Sequence, residues 1–253
     1  MSGRLGRPVA IITGASSGIG RATAISLSKA GWSLVLFARR FDQLCATKEL
    51  CEEESRVMVF EGDVTNEESV QNLFKFAVQS FGRVDLLFNN AGVSTPAIPI
   101  EEFRLTTFQH VVNVNLVGSF LCTREAVKLF KSQTPPGGRI INNGSIAAHS
   151  PRPNSVAYTV TKHAITGLTK QTALDGRQFN ITCTQVDIGN AATDMTGPQS
   201  TGILQADGKV STEATFDVIH VAETIVHIAS LPHDVTVLNF NIMATGMPFV
   251  GRG

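Results

Sequence analysis

The chain has 253 residues, 43% of them hydrophobic and 17% charged, which is ample for a buried core. Twenty-one basic and twenty-one acidic residues cancel, and no dense Lys/Arg run supplies a local field, so neither nucleic acid nor an anionic membrane is an expected partner. Cys45, Cys51, Cys122 and Cys183 form no CxxC pair and no cluster at metal-ligand spacing, so we expect reduced thiols, no metal site and a cytoplasmic location.

In chain order, eight residues precede the first apolar run, too few for a leader, and no span could cross a bilayer. Residues 9–13 read as a strand running into Thr13-Gly14-Ala15-Ser16-Ser17-Gly18-Ile19-Gly20, and a helix follows over 19–30. A second strand, 34–38, ends in Phe37-Ala38-Arg39-Arg40 before a helix over 41–54. The strand 57–61 leads through Gly62-Asp63-Val64-Thr65 to a helix over 67–81, and the strand 84–89 runs into Asn89-Asn90-Ala91-Gly92. A long helix over 107–130 carries Asn115, the strand 139–143 is followed by Ser145, and a helix over 156–179 carries Tyr158 and Lys162. The strand 181–186, an irregular stretch over 194–215, a helix over 217–231 and a strand over 235–242 complete the pattern.

Strands that are apolar almost throughout are buried on both faces, so the βαβα alternation implies an α/β fold. We expect a Rossmann-like, doubly wound, seven-stranded parallel sheet with helices on both faces. The absence of a Pro/Ser-rich linker or solenoid repeat makes 1–253 a single domain. A loop as long as 194–215 is more often functional than idle, and beyond the sixth strand it lies at the edge where such sheets bind ligands.

The glycine turn suits a pyrophosphate. Gly14 permits the tight turn, Gly18 lets the backbone approach the anion, and Gly20 allows close helix packing beneath free N–H groups. Where an NAD-binding fold places a carboxylate for the ribose 2′-OH, this chain has Arg39 and Arg40 and no acid until Asp42. The choice favours NADP over NAD, with a solvated arginine rim as the plainer alternative.

Tyr158, the only tyrosine, and Lys162 stand four apart and share a helix face. Ionising a tenth or more of a phenol at pH 7 requires about 3–4 kcal/mol of anion stabilisation. A cation about 4 Å away at an effective dielectric near 20 is worth about 4 kcal/mol. One lysine is therefore about enough to make this phenol a general acid/base.

Together TGASSGIG, NNAG, NVNLVG, NNGSIAA and YTVTK resemble, in order and over nearly the whole chain, the single-domain branch of the short-chain dehydrogenase/reductase family. The resemblance implies a catalytic tetrad of Tyr158, Lys162, Ser145 and Asn115. Ser145 would polarise and position a carbonyl, while the side chain or backbone of Asn115 would hold a water that relays protons to Lys162. It implies a cofactor site built from Gly14, Ser16, Ser17, Gly18, Ile19, Gly20, Arg39, Arg40, Asp63, Val64, Asn90, Ala91, Gly92, Tyr158, Lys162, Gly189 and Thr193. Asp63 read by residue type alone could equally cap the next helix. His149 and His163 have no partner nameable from sequence, so surface or packing roles are expected.

The expected activity is NADP(H)-dependent interconversion of a ketone or aldehyde and its alcohol. A non-catalytic, redox-sensing NAD(P)-binding regulator is the alternative, one with little reason to keep the tetrad together. An epimerase of the extended branch would need a longer chain, and an enoyl reductase a wider Tyr–Lys spacing. The family's Pro-Gly after the sixth strand is replaced by Ile188-Gly189, which loosens the inferred place of Thr193. The apolar residues of 94–100 and the lack of a cationic cluster suit a neutral small-molecule substrate. The tail, with Met243, Met247, Phe249 and Val250, is expected to pack on a neighbouring subunit of a homotetramer or homodimer.

Overall fold

Successive residues of a strand point to opposite faces, so a strand apolar throughout needs cover on both. In β1 (Val9–Thr13) every residue is buried, Ala10 and Ile12 in one apolar cluster and Ile11 in the other. The computed structural model describes residues 6–53, 55–197 and 202–250. The same alternation recurs in β2 (Ser33–Ala38), β4 (Leu86–Asn89) and β5 (Gly138–Asn143), with β3 (Val57–Glu61) and β6 (Ile181–Ile188) beside them. A small antiparallel hairpin, β7 (Ile203–Leu204) and β8 (Val210–Ser211), stands outside this sheet, and β9 (Asn239–Ile242) closes its edge.

The sheet is seven-stranded, in the order β3-β2-β1-β4-β5-β6-β9, and every pair is parallel. This is the Rossmann-like architecture expected from the strand pattern. Its helices are α1 (Gly18–Lys29), α2 (Phe41–Glu49), α3 (Glu67–Phe81), α4 (Leu105–Val112), α5 (Gly118–Ser132), α6 (Val156–Gly176) and α7 (Ile219–Ser230). On one face Ala24 and Leu27 of α1 meet Val221, Ile225 and Ile228 of α7. On the other, Val70, Leu73, Phe74 and Ala77 of α3 meet Leu121, Cys122, Ala126 and Phe130 of α5. Burying each large apolar side chain contributes about 1.5–3 kcal/mol, and Leu27→Ala would cost about 2–5 kcal/mol. Local signals agree with this packing. Asn66 caps α3 by accepting the Ser69 N–H at 2.8 Å, and Gly82, with φ +80°, ends it.

Several boundaries differ from the sequence pattern. The helix expected over 107–130 is three pieces, because Asn113–Val117 forms a π turn between α4 and α5, with the Gly118 N–H reaching back to the Asn113 carbonyl. The helix expected over 41–54 stops at Glu49, tightened by bonds from Leu50 N to Thr47 O and Cys51 N to Lys48 O. The strand expected from 84 starts at Leu86, and that expected from 235 starts only at Asn239. Val235 closes a turn on Pro232, and Val235 and Leu238 are both exposed. The irregular stretch 194–215 contains a 3₁₀ turn, Asp194–Thr196, and the β7–β8 hairpin, while its residues 198–201 lie outside the described set.

The tail folds back on its own chain. Met247 is buried with Ala244 and Ile146, and Met243 and Phe249 are partly buried against them and Phe216 of the same chain. Val250 alone is exposed, and 251–253 lie outside the described residues.

Since β1 is flanked by β2 on one side and β4 on the other, the winding reverses between β1 and β4. Crevices at such reversals, at the carboxyl ends of the strands, are where ligands bind.

Candidate active site

The reversal point is laced by polar side chains. Thr13 Oγ1, at the end of β1, accepts the N–H groups of Asn90 (2.9 Å) and Ala91 (3.0 Å). Asn90 Nδ2 donates back to the carbonyls of Thr13 (3.0 Å) and Gly14 (3.3 Å). Asn90 Oδ1 accepts from Asn143 Nδ2 at 2.9 Å, and the Asn143 carbonyl accepts from Lys162 Nζ at 2.7 Å. A continuous chain of bonds thus links the glycine turn to α6.

Gly14 and Gly18 have φ of +65° and +52°, where side chains are strained. A Cβ on Gly20 would come within 2.4 Å of the Gly14 carbonyl oxygen, so the helix start fits the turn only without one. Ser17 at the α1 N-cap makes no side-chain cap bond, which leaves the first N–H groups of a 12-residue helix facing the cleft without a side-chain acceptor. Arg40 Nη2 instead draws the Ser16 and Ser17 hydroxyls to 3.0 and 2.9 Å.

A cleft of about 280 Å³ opens here, lined by Gly14, Ser16, Ser17, Gly18, Ile19, Arg39, Arg40, Asp63, Val64, Asn90, Ala91, Gly92, Tyr158, Lys162, Gly189 and Thr193. Gly20 is the one residue of the inferred cofactor set that packs behind the lining. Asp63 Oδ1 accepts from the N–H and hydroxyl of Thr65, both at 2.9 Å, while the next helix is capped by Asn66, so the capping alternative for Asp63 falls. Lys162 is 6% exposed and its Nζ lies 5.3 Å from the centroid of the Tyr158 ring.

The other two inferred catalytic residues sit just behind the cleft wall. Ser145 is buried, and its Oγ accepts the Ala147 N–H at 3.1 Å, which leaves the hydroxyl hydrogen free to be donated. Asn115 lies on the π turn. Its Oδ1 accepts the Val93 N–H at 2.8 Å and its Nδ2 donates to the Val93 carbonyl at 3.0 Å and to Thr161 Oγ1 at 3.3 Å. Its side chain is therefore fully engaged in holding the turn after β4.

Several site residues were not foreseen. Asn143, which bridges Asn90 and Lys162, was hidden at the end of an apolar run, although two consecutive asparagines at a strand's carboxyl end were a visible signal. His149, for which the sequence names no partner, places Nε2 2.7 Å from Asp187 Oδ2. His163 is exposed and bonds the Thr159 carbonyl of its own helix through Nδ1. The loop lacking proline is pinned by side chains instead. Glu213, 1% exposed, receives Asn190 Nδ2 at 2.8 Å and Gln205 Nε2 at 3.1 Å and pairs with Arg152. Burial alone would raise its carboxyl, but those amides and the Arg152 guanidinium outweigh it and hold it below the ordinary carboxylate range.

A doubly wound parallel sheet whose reversal cleft combines a glycine turn, an open helix start, and a Tyr–Lys pair defines the class of dinucleotide-linked oxidoreductases. Comparison with known proteins narrows this. Residues 8–203 match the short chain dehydrogenase family. A 3beta-hydroxysteroid dehydrogenase from Mediterraneibacter gnavus is 35% identical over 202 residues, covering 79% of this chain and 72% of that protein. Sulfoacetaldehyde reductase 2 from Chromohalobacter salexigens is 32% identical over 238 residues, 94% of each. Among solved structures, actinorhodin polyketide ketoreductase with NADPH superposes with a TM-score of 0.84 at 28% identity, over 94% of this chain and 96% of that one. The chain belongs to the short chain dehydrogenase family and is a carbonyl–alcohol oxidoreductase of that NAD(P)-dependent group.

Proposed function

We propose that this protein uses NADP(H) to interconvert a neutral ketone or aldehyde and its alcohol, with Tyr158, Lys162, Ser145 and Asn115 as the working set. The observation that carries the reading is that Tyr158 and Lys162 line the same cleft as the glycine turn, with the ammonium buried beside the ring. The cleft residues fit a dinucleotide: positive-φ glycines, the open α1 start and the exposed Arg39 and Arg40 suit phosphate oxygens. Bound there, the nicotinamide would supply or take up the hydride.

The protein's part is the proton. The Tyr158 hydroxyl gives it to the substrate oxygen during reduction, and the Lys162 ammonium stabilises the negative charge left on the phenol. Ser145 donates its free hydrogen to the same oxygen and holds the carbonyl in line. Because the Asn115 side chain is committed to Val93, its contribution comes through the backbone of the π turn. Arg39 and Arg40, with no acid at the end of β2, support NADP over NAD.

The segment 194–215 and the apolar residues of 94–100 would read the substrate. Relatives named for a hydroxysteroid and for sulfoacetaldehyde span neutral and anionic molecules, and the absence of a cationic cluster in 94–100 favours the neutral side. We read 1–253 as one domain, cytoplasmic by its free thiols. Exposed Phe120, Val160 and Leu174 on α5 and α6 support assembly as a homodimer or homotetramer.

The test is a panel of ketones, aldehydes and alcohols followed at the reduced-nicotinamide absorbance with both cofactors. With an accepted substrate, Tyr158→Phe should lower turnover by about two to four orders of magnitude while cofactor binding persists. Near-normal turnover would remove the mechanism.

A further inference from the structure

Asp187, the penultimate residue of β6, has no exposed surface. Burying a carboxylate costs several kcal/mol unless its lone pairs are met, and here four donors meet them. Oδ1 accepts the backbone N–H of Ser145 at 2.8 Å and the Gln185 amide at 2.7 Å. Oδ2 accepts the Asn239 amide at 2.7 Å and faces His149 Nε2 at 2.7 Å, the nitrogen that must carry the hydrogen towards a carboxylate. Ser145 and His149 flank the 3₁₀ turn Ile146–Ala148, so one side chain grips both ends of the turn that presents the Ser145 hydroxyl. The grip reaches further on each side. Asn239 belongs to the edge strand β9, and the far face of His149 meets the Phe249 ring edge-on, with centroids 6.2 Å apart. A Cβ on Gly144 would lie 2.1 Å from Asp187 Oδ1, so the glycine before Ser145 is what lets the carboxylate come this close.

We propose that Asp187, with His149 as its outer brace, is the positioning residue that fixes the Ser145 hydroxyl at the substrate oxygen. The inference rests on the proposed function only in assigning that hydroxyl its task. Asp187 does not line the cleft and acts through the backbone of Ser145. Displacing a catalytic group by about 1 Å costs about 100-fold in rate, which is the scale of what the brace protects.

Asp187→Asn tests this with the volume unchanged. An amide has no charge and a single acceptor oxygen, so one pair of partners must lose its bonds or reorient, His149 by changing tautomer and Gln185 or Asn239 by flipping its amide. Turnover should fall about 10- to 100-fold while the dissociation constant of NADPH, read by fluorescence, stays within about twofold of wild type. In a Ser145→Ala background the same substitution should produce no further fall; an equal fall in both backgrounds would overturn the proposal, since Asp187 would then act on the fold at large. His149→Ala, which removes one bond at a half-exposed position, guards against misfolding of the first variant and should lower turnover about 3- to 10-fold with the same dependence on Ser145. Amide hydrogen exchange across 144–149 supplies a readout that needs no turnover. Faster exchange there in Asp187→Asn, with β1 and β4 unchanged, is expected, and unaltered exchange would refute the brace. Should the wild type reduce no carbonyl, the proposed function fails, while the exchange result still decides whether Asp187 holds the turn.

Discussion

Replacing Lys162 with methionine keeps the unbranched stem of the buried side chain and deletes its charged end. The ammonium lies 5.3 Å from the Tyr158 ring centroid and is 6% exposed, so bulk water screens it poorly. At an effective dielectric near 20, a unit charge about 5 Å from the charge developing on the phenol is worth about 3 kcal/mol. At about 1.4 kcal/mol per decade this corresponds to about 200-fold in the rate constant. The substitution also strips the Asn143 carbonyl of its donor, which should lower stability by about 1–3 kcal/mol and is read separately from the melting temperature. The assay is turnover at saturating NADPH, since lost contacts to the nucleotide would raise its KM without bearing on the phenol. A Lys162→Met enzyme turning over within about fivefold of wild type would refute the electrostatic account, whatever the change in KM.

The arginine pair makes a second expectation: Arg39→Asp should raise the KM for NADPH about 10- to 100-fold, the worth of one charge-assisted phosphate contact, and leave that for NADH little changed; a wild type with equal KM for both would contradict it. Glu213 gives a pH dependence. Its folded carboxyl is held below the ordinary value of 4.5, so its contribution is present above that pH and is lost as pH falls through the folded value. Glu213→Gln should cost about 3 kcal/mol at pH 7 and flatten the acid limb of a urea-denaturation series below pH 4.5; an unchanged acid limb would refute the assignment. Burial pushes the thiols of Cys122 and Cys183 up to about 12, so an aromatic disulfide reagent at pH 8 should label the partly exposed Cys45 first and reach these two only after denaturation. Rapid labelling of all the thiols in the native protein would disprove that.

The sheet was readable because its strands are apolar on both faces. The runs around Ile11, Val35, Phe88 and Ile140 have no other way to be buried than between two helical layers. The glycine turn and the Tyr158–Lys162 pair were readable because their partners are local in sequence. What the sequence hid is non-local. Asp187 and His149 are 38 residues apart and meet only because β6 lies beside β5, and Glu213 finds Arg152 across 61 residues. The π turn escaped because one surplus residue hardly disturbs the apolar spacing between Val111 and Leu121, both of which stay buried. The β7–β8 hairpin was legible and overlooked: Asp207-Gly208 between Ile203-Leu204 and Val210 is a hairpin signal, and Gly208 does take φ +83°.

That surplus residue in Asn113–Val117 makes the chain unequally tolerant of shortening. At the hairpin tip around Gly208, losing an amino acid would trim an exposed turn. Within the π segment, an in-frame deletion of a single codon would remove the surplus residue and let α4 and α5 run as one regular helix, each keeping its buried face. The local bulge that presents Asn115 to Val93 would go with it, and the turn after β4 would lose the two bonds that hold it. The smallest possible genetic excision there would leave the helices packed and unfasten one wall of the cleft.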